Sequence, residues 1–214
     1  MNYSQKLSVF AWLFGIIGCG MLYTQNKIPE MITFLFIANM QVVEYFLWKF
    51  QPCSDKISKY RNIQLSQIGS ILNHLQPIVL WLAILKYSNR RLSKNINVMM
   101  VVFIIITILY TQNFLINPKC STLTKYSKPH IEWTWTNHTF FRQYYSLFMI
   151  VMVVLSFLGL EKGQYMASLL AVFYAISFFL YDDQHVVGSM WCFMASFGPW
   201  ILYFYYKKSQ NIDD

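Results

Sequence analysis

Residues Asn62–Lys86 read NIQLSQIGSILNHLQPIVLWLAILK, with no acidic side chain and a single cation at the last position. A bilayer core of roughly 30 Å is crossed by about 20 apolar residues in a helix, so this run is long enough to span. Gln67, Ser70, His74, Pro77 and Trp81 recur along it at steps of three or four, which puts them on one helical face, with Asn73 and Gln76 beside it. An ionisable group at the centre of a span costs at least roughly 2.5–3.5 kcal/mol. That face must therefore look into protein, and the helix needs neighbours to cover it.

The neighbours are present. Six further apolar runs cover Leu7–Thr24, Pro29–Phe50, Ile96–Ile116, Phe140–Leu160, Tyr165–Tyr181 and Val186–Tyr206. Turn-forming or charged clusters separate the runs: TQNKIP, QPCSDKISKYR, YSNRRLSKN, a long fourth loop from Asn117 to Thr139, EKGQ and DDQH. None alternates with period two, as a barrel strand facing lipid would, and unpaired backbone is not viable in hydrocarbon. The expectation is an all-α polytopic membrane protein, with seven transmembrane helices in one bundle and residues 1–214 forming a single domain. Composition agrees: of 214 residues 56% are hydrophobic, 19% aromatic and 12% charged, against about 25% charged in soluble domains. Disordered segments, polar-coated solenoids and cysteine-dense scaffolds are excluded. Lys6, the apolar stretch after it and Gly18-Cys19-Gly20 look like a secretory leader, but the run is read as a retained first helix.

Seven spans put the termini on opposite sides. The face holding the amino terminus carries nine Lys/Arg and the other eight, so cation count alone does not orient the bundle. The second face, however, holds the compact Lys86-Arg90-Arg91-Lys94 loop and Lys207-Lys208, whereas much of the first face's charge sits on the long loop. Both glycosylation-type triplets, at Asn2 and Asn137, fall on the amino-terminal face, and so do Cys53 and Cys120, the two loop cysteines. Pairing of those cysteines needs an oxidising compartment. The expected arrangement is an extracytoplasmic amino terminus, a cytoplasmic carboxyl terminus and a Cys53–Cys120 disulfide. Cys19 and Cys192 lie inside spans and read as packing residues.

The net charge of +8 does not indicate nucleic acid. The basic residues flank helices, where anionic headgroups attract them by about 1 kcal/mol each. No phosphate-binding loop, dinucleotide fingerprint or other cofactor motif occurs, and no cofactor is expected. The expected partners are the lipid bilayer and a small ion or solute, with self-association left open.

In the second run Ile37, Gln41, Glu44 and Trp48 share a face, with Glu44 about two turns inside its end. Glu44, His74, Gln41, Gln67, Ser70 and Asn73 together suggest a polar wedge, with His74 near the midplane. The inner half of the wedge is closed by Pro77 and Trp81, which read as a gate. Trp133, Trp135 and His138 in the long loop could cap it, although an interfacial aromatic belt is the preferred reading. Gly188 and Ser189 would let the last helix approach closely, and Pro199 marks a kink site. A structural Glu–His hydrogen bond is the bland alternative.

Three functions follow. The first is a conduit for protons, cations or a small solute: Glu44 is the titratable site and His74 a relay whose ordinary pKa suits proton exchange. The second is an intramembrane metal-dependent hydrolase. Ser70-x-x-x-His74 on an early helix of seven resembles part of the alkaline ceramidase and adiponectin-receptor pattern. That resemblance implies a zinc site completed by His-x-x-x-His on the last helix. Here His185 is followed four residues on by Ser189, which leaves His74 and His185 as the only histidine ligands of that kind. The third is a seven-helix ligand-binding, receptor-like protein, without the Asp-Arg-Tyr-like or Asn-Pro-x-x-Tyr signatures of the familiar receptors. The conduit is the leading expectation, and an enzyme the less favoured class.

Overall fold

A computed structural model describes residues 5–124, 130–136, 140–180 and 184–213. The helices are α1 (Gln5–Thr24), α2 (Ile28–Ala38), α3 (Met40–Lys49), α4 (Lys56–Tyr87), α5 (Lys94–Ile116), α6 (Phe141–Gly159), α7 (Gly163–Leu180), α8 (Gln184–Ala195) and α9 (Gly198–Asp213). With α2–α3 and α8–α9 each taken as one broken helix, seven are long and apolar enough to cross a membrane. The perimeter exposes large apolar side chains, among them Ile105, Ile108, Leu109 and Phe179. Water penalises such a surface, whereas lipid matches it. Asn2, Asn137, His138, Asp182 and Asp183 lie outside the described residues, as does the side chain of His185.

The helix limits depart from the sequence expectation for identifiable reasons. The expected third span opens six residues early, at Lys56, because the Asp55 carboxylate accepts hydrogen bonds from the Ile57 and Ser58 N–H groups at 3.0 and 2.9 Å. That is an N-cap concealed in a stretch whose charges read as loop. These bonds hold the Asp55 carboxyl below its usual range. The second span breaks at Asn39, whose side chain accepts from Trp12 Nε1 at 3.2 Å. The seventh breaks at Ser196–Phe197, where the N–H groups reach back only three residues, to Phe193 and Met194. Pro199, which has no N–H to donate, follows. A Cβ on Gly198 would lie 2.4 Å from the Phe34 ring, so only glycine fits this break against α2. By contrast, α4 runs as one helix through Pro77.

α1 packs along α2, α3 and α9, and α4 lies against α2, α3, α5 and α6. Small residues set the α1 contact: a Cβ on Gly18 would meet Pro199 and Trp200 at 2.9 Å, and Trp200 Nε1 donates to the Phe14 carbonyl at 2.9 Å. Close approach of this kind is how helices associate where lipid removes the hydrophobic drive.

The α5–α6 connection is not an open loop. Thr122–Leu123 (β1) pairs antiparallel with Ile131–Glu132 (β2), and a 3-10 turn follows at Thr134–Thr136. The Cys53–Cys120 disulfide forms, with Cα atoms 6.6 Å apart. Beside it Asn62 grips Ser121 from both sides: Oδ1 accepts from the Ser121 N–H at 2.8 Å and Nδ2 donates to its carbonyl at 3.1 Å. Gln51 Nε2 donates to the same carbonyl at 2.6 Å, and the Ser66 and Ser121 hydroxyls are 2.8 Å apart. This pole is called the disulfide end below.

Candidate functional site

Of the expected α4 stripe, Ser70, His74 and Pro77 are buried and Gln67 and Trp81 are not, while Asn62, Ser66, Asn73 and Gln76 are buried as well. Gln67, expected on the shared face, is only half-buried and turns to α5, where its Nε2 donates to the Leu115 carbonyl at 3.4 Å. Asn62 and Ser66 were missed because they fell at the margin of the apolar run.

His74 is 1% exposed. Its Nδ1 lies 2.7 Å from Thr111 Oγ1 and its Nε2 3.0 Å from the Tyr145 hydroxyl. The Tyr110 and Tyr144 rings meet it edge-on at 5.3 and 5.1 Å. Tyr145 lies four residues into α6 and Thr111 five residues before the end of α5, so by helical rise the group sits about 6–8 Å inside the bundle. On α4 itself His74 lies past the middle of the helix, nearer Tyr87 than Lys56.

Asn73 Nδ2 also donates to the Tyr145 hydroxyl, at 2.8 Å. Gln76 Nε2 reaches Asn73 Oδ1 at 3.4 Å and Cys192 Sγ at 4.0 Å. Glu44 and Gln41 are fully buried, and Glu44 lies within electrostatic range of Cys192. Glu44 and His74 are thus not directly joined, since both ring nitrogens of His74 are engaged elsewhere. A polar string, Thr111–His74–Tyr145–Asn73–Gln76–Cys192, leads from α5 toward Glu44. The Ser70 hydroxyl is buried without a hydrogen-bond partner among the described residues. Beyond Pro77 the buried side of α4 is Leu80, Ala83 and Ile84. Trp81 turns aside, its Nε1 donating to Asn97 Oδ1 at 3.0 Å.

The aromatic-belt reading of the long loop fails. Trp133 and Trp135 are 0% and 1% exposed, with ring centroids 4.7 Å apart. Trp133 seats on Gly188, where a Cβ would lie 2.8 Å from its ring, and Trp135 on Gly69, where a Cβ would lie 3.0 Å away. The loop drives both indoles into the bundle, against Gly69 of α4 and Gly188 of α8.

An opening exists elsewhere. A cavity of about 250 Å³ lies between the disulfide-end turns of α6, α7 and α8, lined by Thr136, Arg142, Tyr145, Ser146, Tyr174, Phe178, Val187 and Gly188. Arg142, Ser146 and Phe178 are exposed there. Tyr145 belongs to both the cavity wall and the polar string. No sequence pattern pointed to it, because Phe140–Leu160 read simply as a span, without a polar stripe.

At the opposite end a second recess of about 260 Å³ is lined by Lys27, Glu30, Ser88, Asn89, Glu161 and neighbours. Lys27 Nζ bridges Glu161 at 2.7 Å and lies 4.8 Å from the Tyr206 ring centroid, and Tyr206 donates to Glu30 at 2.9 Å. The Lys27 bridge holds the Glu161 carboxyl below its usual range.

Among the described residues no three His, Cys, Asp or Glu side chains converge as metal ligands. Comparison with protein-family models, curated proteins and solved structures finds no match.

Proposed function

We propose that this chain is a multi-pass membrane protein that binds a small ligand in the cavity at its disulfide end, on the plan of a seven-helix receptor-like protein. One observation carries the reading. Tyr145 lines the cavity and is hydrogen-bonded to both His74 and Asn73, while the bundle beneath closes on Leu80, Ile84, Phe103, Met152 and Leu155, all at most 1% exposed. A recess whose wall connects to a buried polar network, in a bundle whose core is otherwise closely packed and apolar, suits binding better than passage. In this reading the disulfide end is extracytoplasmic, since a disulfide needs an oxidising compartment, and the carboxyl terminus is cytoplasmic.

A conduit for protons, cations or a small solute is the second reading, favoured by the recesses at both ends of the bundle. It needs the apolar layer between them to part, with Glu44 and His74 on the path and Pro77 and Trp81 beside the gate. Liposomes under proton and potassium gradients separate the two readings. Flux indistinguishable from empty vesicles supports the binding protein. Flux that falls with Glu44→Gln or His74→Ala, in variants that still fold, supports the conduit.

A further inference from the structure

We propose that the disulfide-end cavity takes an amphiphilic acid, a carboxylate or phosphate head on a short apolar body, received by Arg142 and the Tyr145 hydroxyl. The inference rests on the binding reading and names its ligand class. The wall divides by chemistry. Arg142 is the second residue of α6, at the rim, and is the cation among the lining residues; Tyr145, Ser146 and Tyr174 are hydroxyl-bearing members of the wall, the Thr136 hydroxyl is bonded to the Trp133 carbonyl, and Phe178 and Val187 are apolar. An arginine fork holds carboxylate and phosphate bidentately. The volume of about 250 Å³ lies below the roughly 300–1,000 Å³ of drug-sized pockets, so a short chain or small ring fits, and of a diacyl lipid only the headgroup does.

The hydrogen bonds behind Tyr145 supply the second argument. Its oxygen accepts from Asn73 Nδ2, and its bond with His74 Nε2 has two possible directions. When Nδ1 carries the imidazole proton and donates to Thr111, Tyr145 spends its O–H on Nε2. When Nε2 carries it, Tyr145 accepts twice, Thr111 donates to Nδ1, and the Tyr145 O–H is released toward another acceptor. An anion in the cavity is such an acceptor, so binding selects the Nε2–H tautomer of a neutral His74. No net proton is gained or lost: the imidazole proton changes nitrogen while the hydroxyls of Thr111 and Tyr145 reorient.

The test uses the full chain, labelled with nitrogen-15 at histidine, in nanodiscs of zwitterionic lipid. The probes are octanoate from solution, octanol, octyltrimethylammonium, and phosphatidate built into the disc, which separates a soluble acid from a lipid headgroup. The expected result is saturable binding of octanoate, phosphatidate or both, with the His74 nitrogen shifts moving toward the Nε2–H pattern. Arg142→Gln should weaken binding about tenfold or more and Arg142→Lys less, while Ser146→Phe, which fills the cavity from an exposed position, abolishes it. Octanol or octyltrimethylammonium binding as tightly as octanoate, in a manner blocked by Ser146→Phe, would overturn the acid class and leave the pocket standing. If no probe binds in a manner blocked by Ser146→Phe, both the acid class and the pocket reading fall.

Discussion

The Tyr145 hydroxyl lies 3.0 Å from His74 Nε2, and through that contact the one cavity wall that reaches the buried polar string is fixed in place. His74 in turn is held at its other nitrogen by Thr111, so α4, α5 and α6 meet at one imidazole. Removing it leaves two hydroxyls short of a partner. His74→Ala should lower unfolding free energy by about 1–3 kcal/mol, seen as a lower midpoint in a detergent thermal melt. Tyr145→Phe should have a smaller effect of the same sign. A Tyr145→Phe protein as stable as wild type would mean that the bond contributes nothing.

Cys53 and Cys120 are 67 residues apart in sequence, and closing a loop of that length contributes about 2–4 kcal/mol. Asn62 holds the residue after Cys120 by two hydrogen bonds. The double replacement Cys53→Ser with Cys120→Ser should therefore destabilise by that order, and Asn62→Ala by about 1–3 kcal/mol. Because both act on one short segment, the combined loss should fall short of the sum, a coupling on the order of 0.5–3 kcal/mol. Strict additivity in melts of the set would show that the two restraints act independently.

Gly188 is where the loop indoles meet α8. A methyl placed there collides with Trp133, which is fully buried. Gly188→Ala should lower the melting midpoint, and adding Trp133→Leu should recover part of the loss by removing the obstruction. If the second change only deepens the defect, the contact is not the reason for the glycine.

The Lys27–Glu161 bridge carries the pH dependence at the opposite end. Because Lys27 lowers the folded-state pKa of Glu161, this contribution is present above the unfolded glutamate pKa and lost as pH falls through the folded value. Wild type should exceed Glu161→Gln in midpoint at neutral pH, and the gap should close under acid conditions. Glu161 is largely exposed, so solvent screens the pair, the gap is small and added salt narrows it. A gap unchanged on acidification would contradict the bridge.

Much of the fold was legible because lipid-scale apolar runs are long and their boundaries charged. The seven spans and the Cys53–Cys120 bridge follow from run length and from which cysteines lie in loops. The break at Asn39 was not legible as a helix end, being an asparagine inside an apolar run, whereas that at Ser196–Phe197 lies just before Pro199, the kink site marked in the sequence, and there Gly198 meets Phe34 across the bundle. The site was only half legible. Polar residues such as His74 and Glu44 stand out against an apolar background, but their partners do not. Tyr145 and Thr111 are ordinary members of apolar helices until the fold brings them to the imidazole. Trp133 and Trp135 misled because an indole near a span end has the same sequence signature whether it lies at an interface or inside the bundle.

The blind cavity is tested most directly by cysteine accessibility in proteoliposomes. Cysteines are placed singly at Ser146 and Leu80 in a chain carrying Cys19→Ala and Cys192→Ser, and a charged, water-soluble thiol reagent is applied from either side. Ser146→Cys should react only from the disulfide side, and Leu80→Cys from neither. Reaction at Leu80→Cys, or at Ser146→Cys from the opposite side, would mean that the bundle opens through and would contradict the account.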